Sequence, residues 1–147
     1  MFNNILVVCM GNICRSPVAE AMLSNLLPTR SVNSAGIVVE KSKLSGSKAA
    51  IYSIEVAAEH DIDITEHRAR QLTQEMCVDA DLILVMDQDQ IERVASISPT
   101  SRSKTLLLGQ WSGEGEIDDP YQKEKRAFQL AYQSIHKATE AWARRLS

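Results

Sequence analysis

Cysteine is scarce in this chain, and its spacing excludes the small proteins that disulfide bonds hold together. Only three cysteines occur among the 147 residues, at positions 9, 14 and 77, and no two of them have C-x-x-C spacing. An odd count without that motif is typical of a reducing compartment. A chain of this length can form a hydrophobic core without cross-links, so we expect a cytoplasmic protein.

Long apolar runs and basic stretches are missing as well. No run approaches the ~20 apolar residues of a membrane-spanning helix. Residues 1–4 contain no basic residue, and the apolar run after them is too short for a signal peptide. With a net charge of −3 and no basic stripe, neither membrane insertion nor a nucleic-acid partner is expected. No repeat or linker divides the chain, which predicts one domain over residues 1–147.

Four short apolar runs indicate strands that are buried on both faces. They cover residues 5–8, 31–35, 82–86 and 105–108. Helical patterns lie between them, and strands that alternate with helices predict a parallel sheet with right-handed crossovers. We therefore expect a single three-layer α/β domain, with helices on both faces of a four-stranded parallel sheet. Active sites in such folds lie at the carboxyl ends of the strands.

Four helices are predicted by their periodicity and end signals. The first has Ser16 as its N-cap and Pro17 in its first helical position, and it ends before Pro28. The second is expected over residues 47–60, the third over residues 88–97, and the last near the C-terminus. The apolar residues expected to face the core are Ile51, Ile54 and Ala58 on the second helix, and Phe128, Ala131, Ile135, Ala138 and Trp142 on the last.

The segment after the first strand combines a thiol with a guanidinium. Cys9 directly follows the apolar run 5–8, Arg15 lies six residues later, and Ser16-Pro17 opens a helix. The backbone N–H groups of such a loop, the N-terminal end of the helix and the arginine fork can all converge on a phosphate. The same positive field favours a thiolate at Cys9, and a thiolate is a nucleophile. The pattern predicts a phosphate-binding loop that carries its own nucleophile.

Two nucleotide-binding motifs place glycines in a similar strand-to-helix turn. A Walker A loop needs Lys-Ser or Lys-Thr after its second glycine, and the dinucleotide-binding fingerprint needs three spaced glycines. Residues 9–17 contain neither pattern. The loop is therefore not interpreted as a nucleotide site.

The loop sequence resembles the signature of the low-molecular-weight protein tyrosine phosphatases. It reads V-C-M-G-N-I-C-R-S-P over residues 8–17. The likeness continues through N-S-A-G at 33–36, E-H-R-A-R-Q at 66–71, D-L-I-L-V-M-D at 81–87 and D-P-Y at 119–121, and so covers essentially the whole chain. The resemblance implies the strand order 2-1-3-4 and hydrolysis of phosphotyrosine through a cysteinyl-phosphate intermediate.

The resemblance also implies roles for individual residues. Cys9 would be the nucleophile, Arg15 the phosphate clamp, and Asp119 the general acid on a loop that closes over the substrate. Ser34 and His67 would join Asn12 in a hydrogen-bond network beneath the loop. The expected substrate-binding residues are Met10, Gly11, Asn12, Ile13, Cys14, Ser16 and Tyr121.

Physical chemistry independently supports the three catalytic roles. Cleaving an aryl phosphate through a covalent intermediate needs a thiolate, donors for the phosphoryl oxygens and a proton for the leaving phenolate. Asp119 can supply that proton and can later, as a carboxylate, take one from the attacking water. No metal or other cofactor is expected, since His60, His67 and His136 lack metal-ligand spacing.

Asp118 competes with Asp119 for the role of the acid. Adjacent side chains usually point in different directions, and the D-P-Y match selects Asp119. Pro120 restricts the backbone of Asp119 to extended conformations, which helps to present its carboxyl group. Without the Cys9 loop, both aspartates would be interpreted as solvated turn residues.

Ser16 and the two remaining cysteines each have a structural interpretation beside any functional one. Ser16 could serve as a helix cap, while the resemblance implies that its hydroxyl also donates to the Cys9 thiolate. Cys14 could be a buried structural thiol, and the resemblance favours a reversible disulfide with Cys9 that protects the nucleophile. Cys77 is predicted to lie on a helix and in the core.

The residues around the loop point to a substrate class. Ile13 and Tyr121 are expected to wall a deep pocket that suits phosphotyrosine, whereas relatives that act on phosphoarginine have threonine at the position of Ile13. Gln122 stands where the eukaryotic enzymes have a second tyrosine, so their tyrosine switch is not expected. The layout resembles bacterial enzymes of capsule and exopolysaccharide clusters, which dephosphorylate a membrane-bound tyrosine autokinase. A monomer with such a partner is expected.

Two other functions would share this loop. Thioredoxin-coupled arsenate reductases have the same C-x5-R loop, because arsenate mimics phosphate, but they relay oxidation through two further cysteines in mid-chain. Only Cys77 lies in that region. A phosphate-binding module without catalysis would not need an acid such as Asp119, so the phosphatase interpretation is preferred.

Overall fold

Four parallel strands form the centre of the computed structural model, which describes residues 2–147. They are β1 (Asn4–Cys9), β2 (Ser31–Gly36), β3 (Leu82–Val85) and β4 (Thr105–Leu107), in the order β2-β1-β3-β4. The predicted α/β fold and strand order are confirmed. Each predicted strand differs from the observed one by no more than one residue at either end.

The helices cover both faces of the sheet and enclose two hydrophobic cores. Ile5 and Val7 of β1 belong to one core, and Leu6 and Val8 belong to the other, because successive side chains of a strand point to opposite faces. The five helices are α1 (Ser16–Leu26), α2 (Ile51–Glu59), α3 (Gln74–Asp79), α4 (Gln88–Ile97) and α5 (Lys125–Leu146). The first core also receives side chains from α1, α2 and α5, and the second from α3 and α4.

Two of the helix predictions are confirmed closely. Helix α4 spans the predicted residues, and Asp87 caps it by accepting a hydrogen bond from the Gln90 backbone N–H over 2.9 Å. Helix α5 buries all five of the apolar residues predicted to face the core. A 3-10 helix at Pro99–Lys104 was not predicted, since its sequence P-T-S-R-S-K has no apolar periodicity.

The prediction for the second helix is wrong in its start and in its buried face. Helix α2 begins at Ile51, because the preceding residues are tied elsewhere: the Ala50 N–H donates to the Ile13 carbonyl over 2.8 Å. The Ser53 hydroxyl donates to the Cys14 carbonyl over 3.0 Å, which turns Ser53 inward and leaves Ile51 69% exposed. Ala58 is also exposed and Ile54 is only partly buried, whereas Val56 and Ala57 are buried.

The start of the first helix also differs from its prediction. Ser16 is the first helical residue of α1, Arg15 occupies the N-cap position, and no side chain caps the helix. The Ser16 hydroxyl is instead engaged by the phosphate loop, as described below. Over residues 2–147, none of the helices has both the length and the apolar character needed to cross a bilayer.

Candidate active site

The predicted phosphate loop joins the carboxyl end of β1 to the start of α1. It covers residues 10–15 between Cys9, the last residue of the strand, and Ser16, the first residue of the helix. Asn12 has a φ of 56°, a left-handed conformation that asparagine tolerates better than most residues. The loop therefore reverses direction tightly, where parallel strands place active sites.

A cavity of about 100 Å³ lies over this loop. Most of the predicted site residues line it, including Cys9, Arg15, Asp119 and Tyr121. Asn12 and Ser16 do not line it, because both are fully buried behind the loop. The remaining lining residues are Met10, Gly11, Ile13 and Cys14, which were predicted, and Val38, Ser42 and Leu44, which were not.

Arg15 is held in place from outside the loop. Its Nη1 donates to the Ile117 carbonyl over 2.8 Å, and its Nη2 lies 3.5 Å from Oδ2 of Asp119. Its Nε is buried and has no hydrogen-bond partner among residues 2–147. A buried guanidinium donor without a partner is costly, and an anion bound over the loop could accept a hydrogen bond from it.

Asp119 reaches the cavity from the loop between β4 and α5. Its Oδ1 accepts the Tyr121 backbone N–H over 3.0 Å, and its side chain is 43% exposed. Asp118 lines an adjoining groove, together with Glu114, Glu116 and Asp119 itself. Of the two adjacent aspartates, only Asp119 also lines the cavity that contains Cys9 and Arg15.

Comparison with known proteins identifies the family. The model of the family described as low molecular weight phosphotyrosine protein phosphatase matches residues 4–147. The chain belongs to this family. It is therefore a protein-tyrosine phosphatase with the four-stranded fold described above.

Relatives match the phosphatase along its whole length. It is 46% identical to the probable low molecular weight protein-tyrosine-phosphatase AmsI of Erwinia amylovora over 100% of this chain and 99% of that protein. The structure of Vibrio vulnificus Wzb in complex with benzylphosphonate has a TM-score of 0.96, 50% identity and 99% coverage of both chains. The YwlE arginine phosphatase from Geobacillus stearothermophilus has a TM-score of 0.85 and 32% identity, over 97% of this chain and 91% of that one.

Cys9, which precedes the phosphate loop, and Cys14, which lies in it, are in different environments. The Cys9 Sγ lies 2.9 Å from the Ser16 hydroxyl, which can donate to a thiolate. Burial, reinforced by the nearby Cys9 and Asp119, raises the pKa of the Cys14 thiol to about 12. Cys14 therefore stays protonated near neutral pH, which leaves Cys9 as the candidate nucleophile of the loop.

Cys77 lies away from both of these cysteines. It is fully buried on α3, in the core on the other face of the sheet, whereas Cys9 and Cys14 belong to the first core. Its predicted position in the core is confirmed. The relay of arsenate reductases needs two further cysteines close together in mid-chain. Cys77 has no neighbouring cysteine in this sequence.

Asn12 connects the phosphate loop to segments that are distant in sequence. Its Nδ2 donates to the Ser16 hydroxyl over 2.8 Å and to the Ser34 hydroxyl over 3.0 Å, and its Oδ1 accepts the Arg70 N–H over 3.0 Å. The His67 Nε2 lies 2.7 Å from the Asn12 carbonyl and must donate to it, because a carbonyl only accepts. The structure thus brings Asn12, Ser16, Ser34 and His67 together beneath the loop.

Two members of this network were not among the predicted site residues. The Ser34 hydroxyl donates to the Glu20 carboxylate over 2.5 Å, and the Arg70 Nε donates to the Ser34 carbonyl over 3.0 Å. Arg70 was part of a recognised motif, but no motif marked Glu20, which lies on α1. Their contacts arise from the packing of α1, β2 and the segment around residue 70, which local sequence patterns do not report.

Gly36 allows the end of β2 to lie directly against the loop. It pairs with Cys9 in the β1–β2 register, and its carbonyl accepts the Leu72 N–H over 2.8 Å. A Cβ at this position would lie 2.8 Å from the Met10 carbonyl oxygen and 2.9 Å from the Asn12 nitrogen. Non-bonded atoms do not pack at such distances, so any side chain at position 36 would displace the phosphate loop.

We expect His67 to make the stability of the phosphatase sensitive to acid. Desolvation by burial lowers the pKa of His67 below its ordinary value of 6.5, although the bond to Asn12 and the charge of Glu20 act in the opposite direction. The unfolded chain therefore binds a proton at this residue more readily than the folded protein. Well above pH 6.5 the ring is neutral in both states. As the pH falls through that value the unfolded state binds the proton first, so the folded protein loses stability relative to the unfolded chain.

Urea unfolding at about pH 7.5 and about pH 5.5 measures this effect. The His67→Gln variant keeps an N–H that can donate to the Asn12 carbonyl but cannot titrate, so it should lose less stability over this interval than the wild-type protein does. An equal loss in both proteins would assign the acid sensitivity to other groups.

Proposed function

We propose that this enzyme hydrolyses phosphotyrosine on proteins in two steps, with Cys9 as nucleophile, Arg15 as phosphate clamp and Asp119 as general acid. The proposal rests chiefly on one observation: these three side chains line one cavity, and Asp119 Oδ2 lies 3.5 Å from Arg15 Nη2. A phosphoryl group bound by Arg15 would therefore lie within reach of both the thiolate and the carboxyl group.

In the first step the Cys9 thiolate attacks phosphorus, and the bond from phosphorus to the tyrosine oxygen breaks. Asp119 gives its proton to the leaving phenolate oxygen. Arg15 and the N–H groups of the loop stabilise the charge on the equatorial oxygens. The product is a cysteinyl phosphate and a free tyrosine side chain.

In the second step a water molecule attacks the phosphorus of this intermediate. The Asp119 carboxylate, deprotonated by the first step, takes a proton from that water. The bond from sulfur to phosphorus breaks, phosphate leaves, and the electron pair returns to Cys9. The Ser16 hydroxyl, 2.9 Å from Cys9 Sγ, can donate a hydrogen bond to the leaving sulfur.

The walls of the cavity favour an aromatic phosphate ester. Ile13, Val38, Leu44 and Tyr121 line it, so a phenyl ring would be buried against apolar groups. The guanidinium of phosphoarginine would lose its hydration against these walls, and it has no apolar surface whose burial would offset that cost. Phosphoserine has no ring to bury against these walls.

We infer that the protein substrate is a membrane-bound tyrosine autokinase of an exopolysaccharide or capsule system, and that the enzyme acts on it in the cytoplasm. This inference rests on the resemblance to bacterial capsule-cluster enzymes and on the similarity to AmsI and Wzb. Purified autokinase with a phosphorylated tyrosine-rich tail is the substrate to test.

A panel of matched peptides that carry phosphotyrosine, phosphoserine or phosphoarginine tests the substrate class. Burying a phenyl ring contributes about 1.5–3 kcal/mol, so kcat/KM for phosphotyrosine should exceed the other two by roughly 10- to 150-fold. The measurement is phosphate release under steady-state conditions. Faster hydrolysis of phosphoarginine would overturn the assignment in favour of an arginine phosphatase.

A further inference from the structure

A short basic turn forms one wall of the cavity mouth. In residues 38–44 the Ser42 N–H donates to the Val38 carbonyl over 2.9 Å, and the Leu44 N–H donates to the Val39 carbonyl over 2.8 Å. These bonds close the turn on itself. Its side chains are therefore presented on a defined backbone, which we call the lysine turn.

The lysine turn is attached directly to the phosphate loop. The Val38 N–H donates to the Met10 carbonyl over 2.9 Å, and a Cβ at Gly11 would lie 3.0 Å from Leu44 Cδ1. Val38, Ser42 and Leu44 also line the cavity. Whatever enters the cavity must therefore pass beside this turn.

The lysine turn carries a net positive charge, because Lys41 and Lys43 outnumber its single acidic residue, Glu40. Lys41 and Lys43 flank the cavity residue Ser42, both are exposed, and neither forms a salt bridge within residues 2–147. Glu40 is the only acidic residue in the sequence 37–50, which also contains Lys48. In a protein with a net charge of −3, this is a local reversal of sign.

The second loop that reaches the mouth has the opposite sign. The segment 114–119 contains Glu114, Glu116, Asp118 and Asp119, and it has no basic residue. Glu114 is partly neutralised by Lys137, whose Nζ lies 3.7 Å from its Oε1. Only Asp119 of these four lines the cavity, and it is paired with Arg15. Glu114, Glu116 and Asp118 line the groove that adjoins the cavity at Asp119. The cavity therefore has a positive turn on one side and an acidic groove next to it on the other.

We infer that the lysine turn selects substrates with acidic residues on one side of the phosphotyrosine. The inference rests on the proposed function, because a phosphotyrosine seated in the cavity makes the flanking peptide cross the mouth. On one side those residues pass Lys41 and Lys43, and on the other they pass the acidic segment 114–119. Acidic residues gain attraction on the first side and meet repulsion on the second, which gives the peptide a preferred direction.

The expected effect per lysine is modest and depends on salt. Exposed ion pairs change a binding constant by roughly 1.5- to 5-fold each, so two lysines should give a preference of roughly 2- to 25-fold in kcat/KM. High ionic strength screens such pairs. The preference should therefore shrink as salt is added, while the hydrolysis of a neutral peptide changes much less.

The test compares three phosphotyrosine peptides of equal length: one with glutamates on the N-terminal side, one with glutamates on the C-terminal side, and one neutral. Each is assayed with the wild-type enzyme and with a Lys41→Gln, Lys43→Gln double variant, which removes the charge and keeps a flexible polar side chain at each position. Arg144→Gln is the control, because Arg144 is exposed near the far end of the 22-residue helix α5.

We expect one of the two acidic peptides to exceed the neutral one in wild-type enzyme and in Arg144→Gln, and to lose that advantage in the double variant. Equal kcat/KM for all three peptides, an advantage for both acidic peptides, or an advantage that survives in the double variant would overturn the inference. Hydrolysis of the neutral peptide tests the proposed function separately. If the wild-type enzyme did not hydrolyse this peptide, phosphotyrosine hydrolysis itself would be refuted.

Discussion

Replacing Cys9 with serine is expected to lower kcat for phosphotyrosine hydrolysis by about 10⁴-fold or more. A serine hydroxyl is not ionised at neutral pH, so it cannot attack phosphorus as the thiolate does. The donors of the phosphate site are unchanged in this variant, since Arg15 is held by the Ile117 carbonyl and not by Cys9. Steady-state kinetics should therefore show loss of turnover, while calorimetry with inorganic phosphate should show that binding persists.

Cys77→Ala provides a matched control for this variant. It also removes one thiol, but Cys77 is buried on α3 in the core on the other face of the sheet. We expect kcat to stay close to the wild-type value in Cys77→Ala, with some loss of stability from the smaller side chain. Substantial phosphatase activity in Cys9→Ser would show that Cys9 is not the nucleophile.

Replacing Asp119 with asparagine is expected to slow the hydrolysis of a phosphotyrosine peptide by about 10²- to 10⁴-fold. The amide cannot protonate the leaving phenolate oxygen or activate water in the second step. Its carbonyl oxygen can still accept the Tyr121 N–H, as Oδ1 of Asp119 does over 3.0 Å. The loop conformation should therefore be retained, and the loss should be smaller for aryl phosphates whose phenols are more acidic and need less protonation.

The neighbouring residue is the control for this second variant. Asp118→Asn removes the same charge one position earlier, but Asp118 lines the groove beside Glu116 rather than the cavity that contains Cys9. We expect its kcat to change by no more than about two-fold. If Asp118→Asn were the slower enzyme, the general acid would be Asp118, and the assignment based on the D-P-Y match would be wrong.

The sheet was predictable because each strand carries its own signal. The run 5–8 is apolar without interruption, as expected for a strand buried on both faces, and the observed β1 extends it by one residue at each end. Helix α5 was predictable for a similar reason, since five apolar residues recur at steps of three and four, a spacing typical of a helix and not of a strand. In these elements local periodicity and tertiary burial agree.

Local signals failed where a tertiary contact decides the structure. Residue Ser16 has the chemistry of an N-cap, but its hydroxyl is taken by Cys9 and Asn12 and the helix begins at Ser16 itself. Helix α2 begins four residues later than its pattern indicates, because Ala50 is bonded to the Ile13 carbonyl of the phosphate loop. Both errors occur at contacts with that loop.

The candidate site was partly predictable for the same reasons. The cavity residues within 9–15 are contiguous in sequence and carry a recognisable motif. Val38, Ser42 and Leu44 complete the cavity only because the turn that follows β2 folds back on Met10. No composition or spacing in residues 38–44 reports that contact, and the same is true of the hydrogen bond from Ser34 to Glu20.

The bonds of Asn12 and Arg15 determine when a functional site can exist during folding. Asn12 is bonded to residues 22, 55 and 58 positions away, and Arg15 to one 102 positions away. A fragment that holds only β1, the phosphate loop and α1 would contain the complete motif but none of these four contacts. Loop-closure entropy opposes such distant contacts until most of the chain is ordered. The candidate site is therefore assembled only in the finished fold, and a nascent or partly unfolded chain contains the sequence motif without the assembled site.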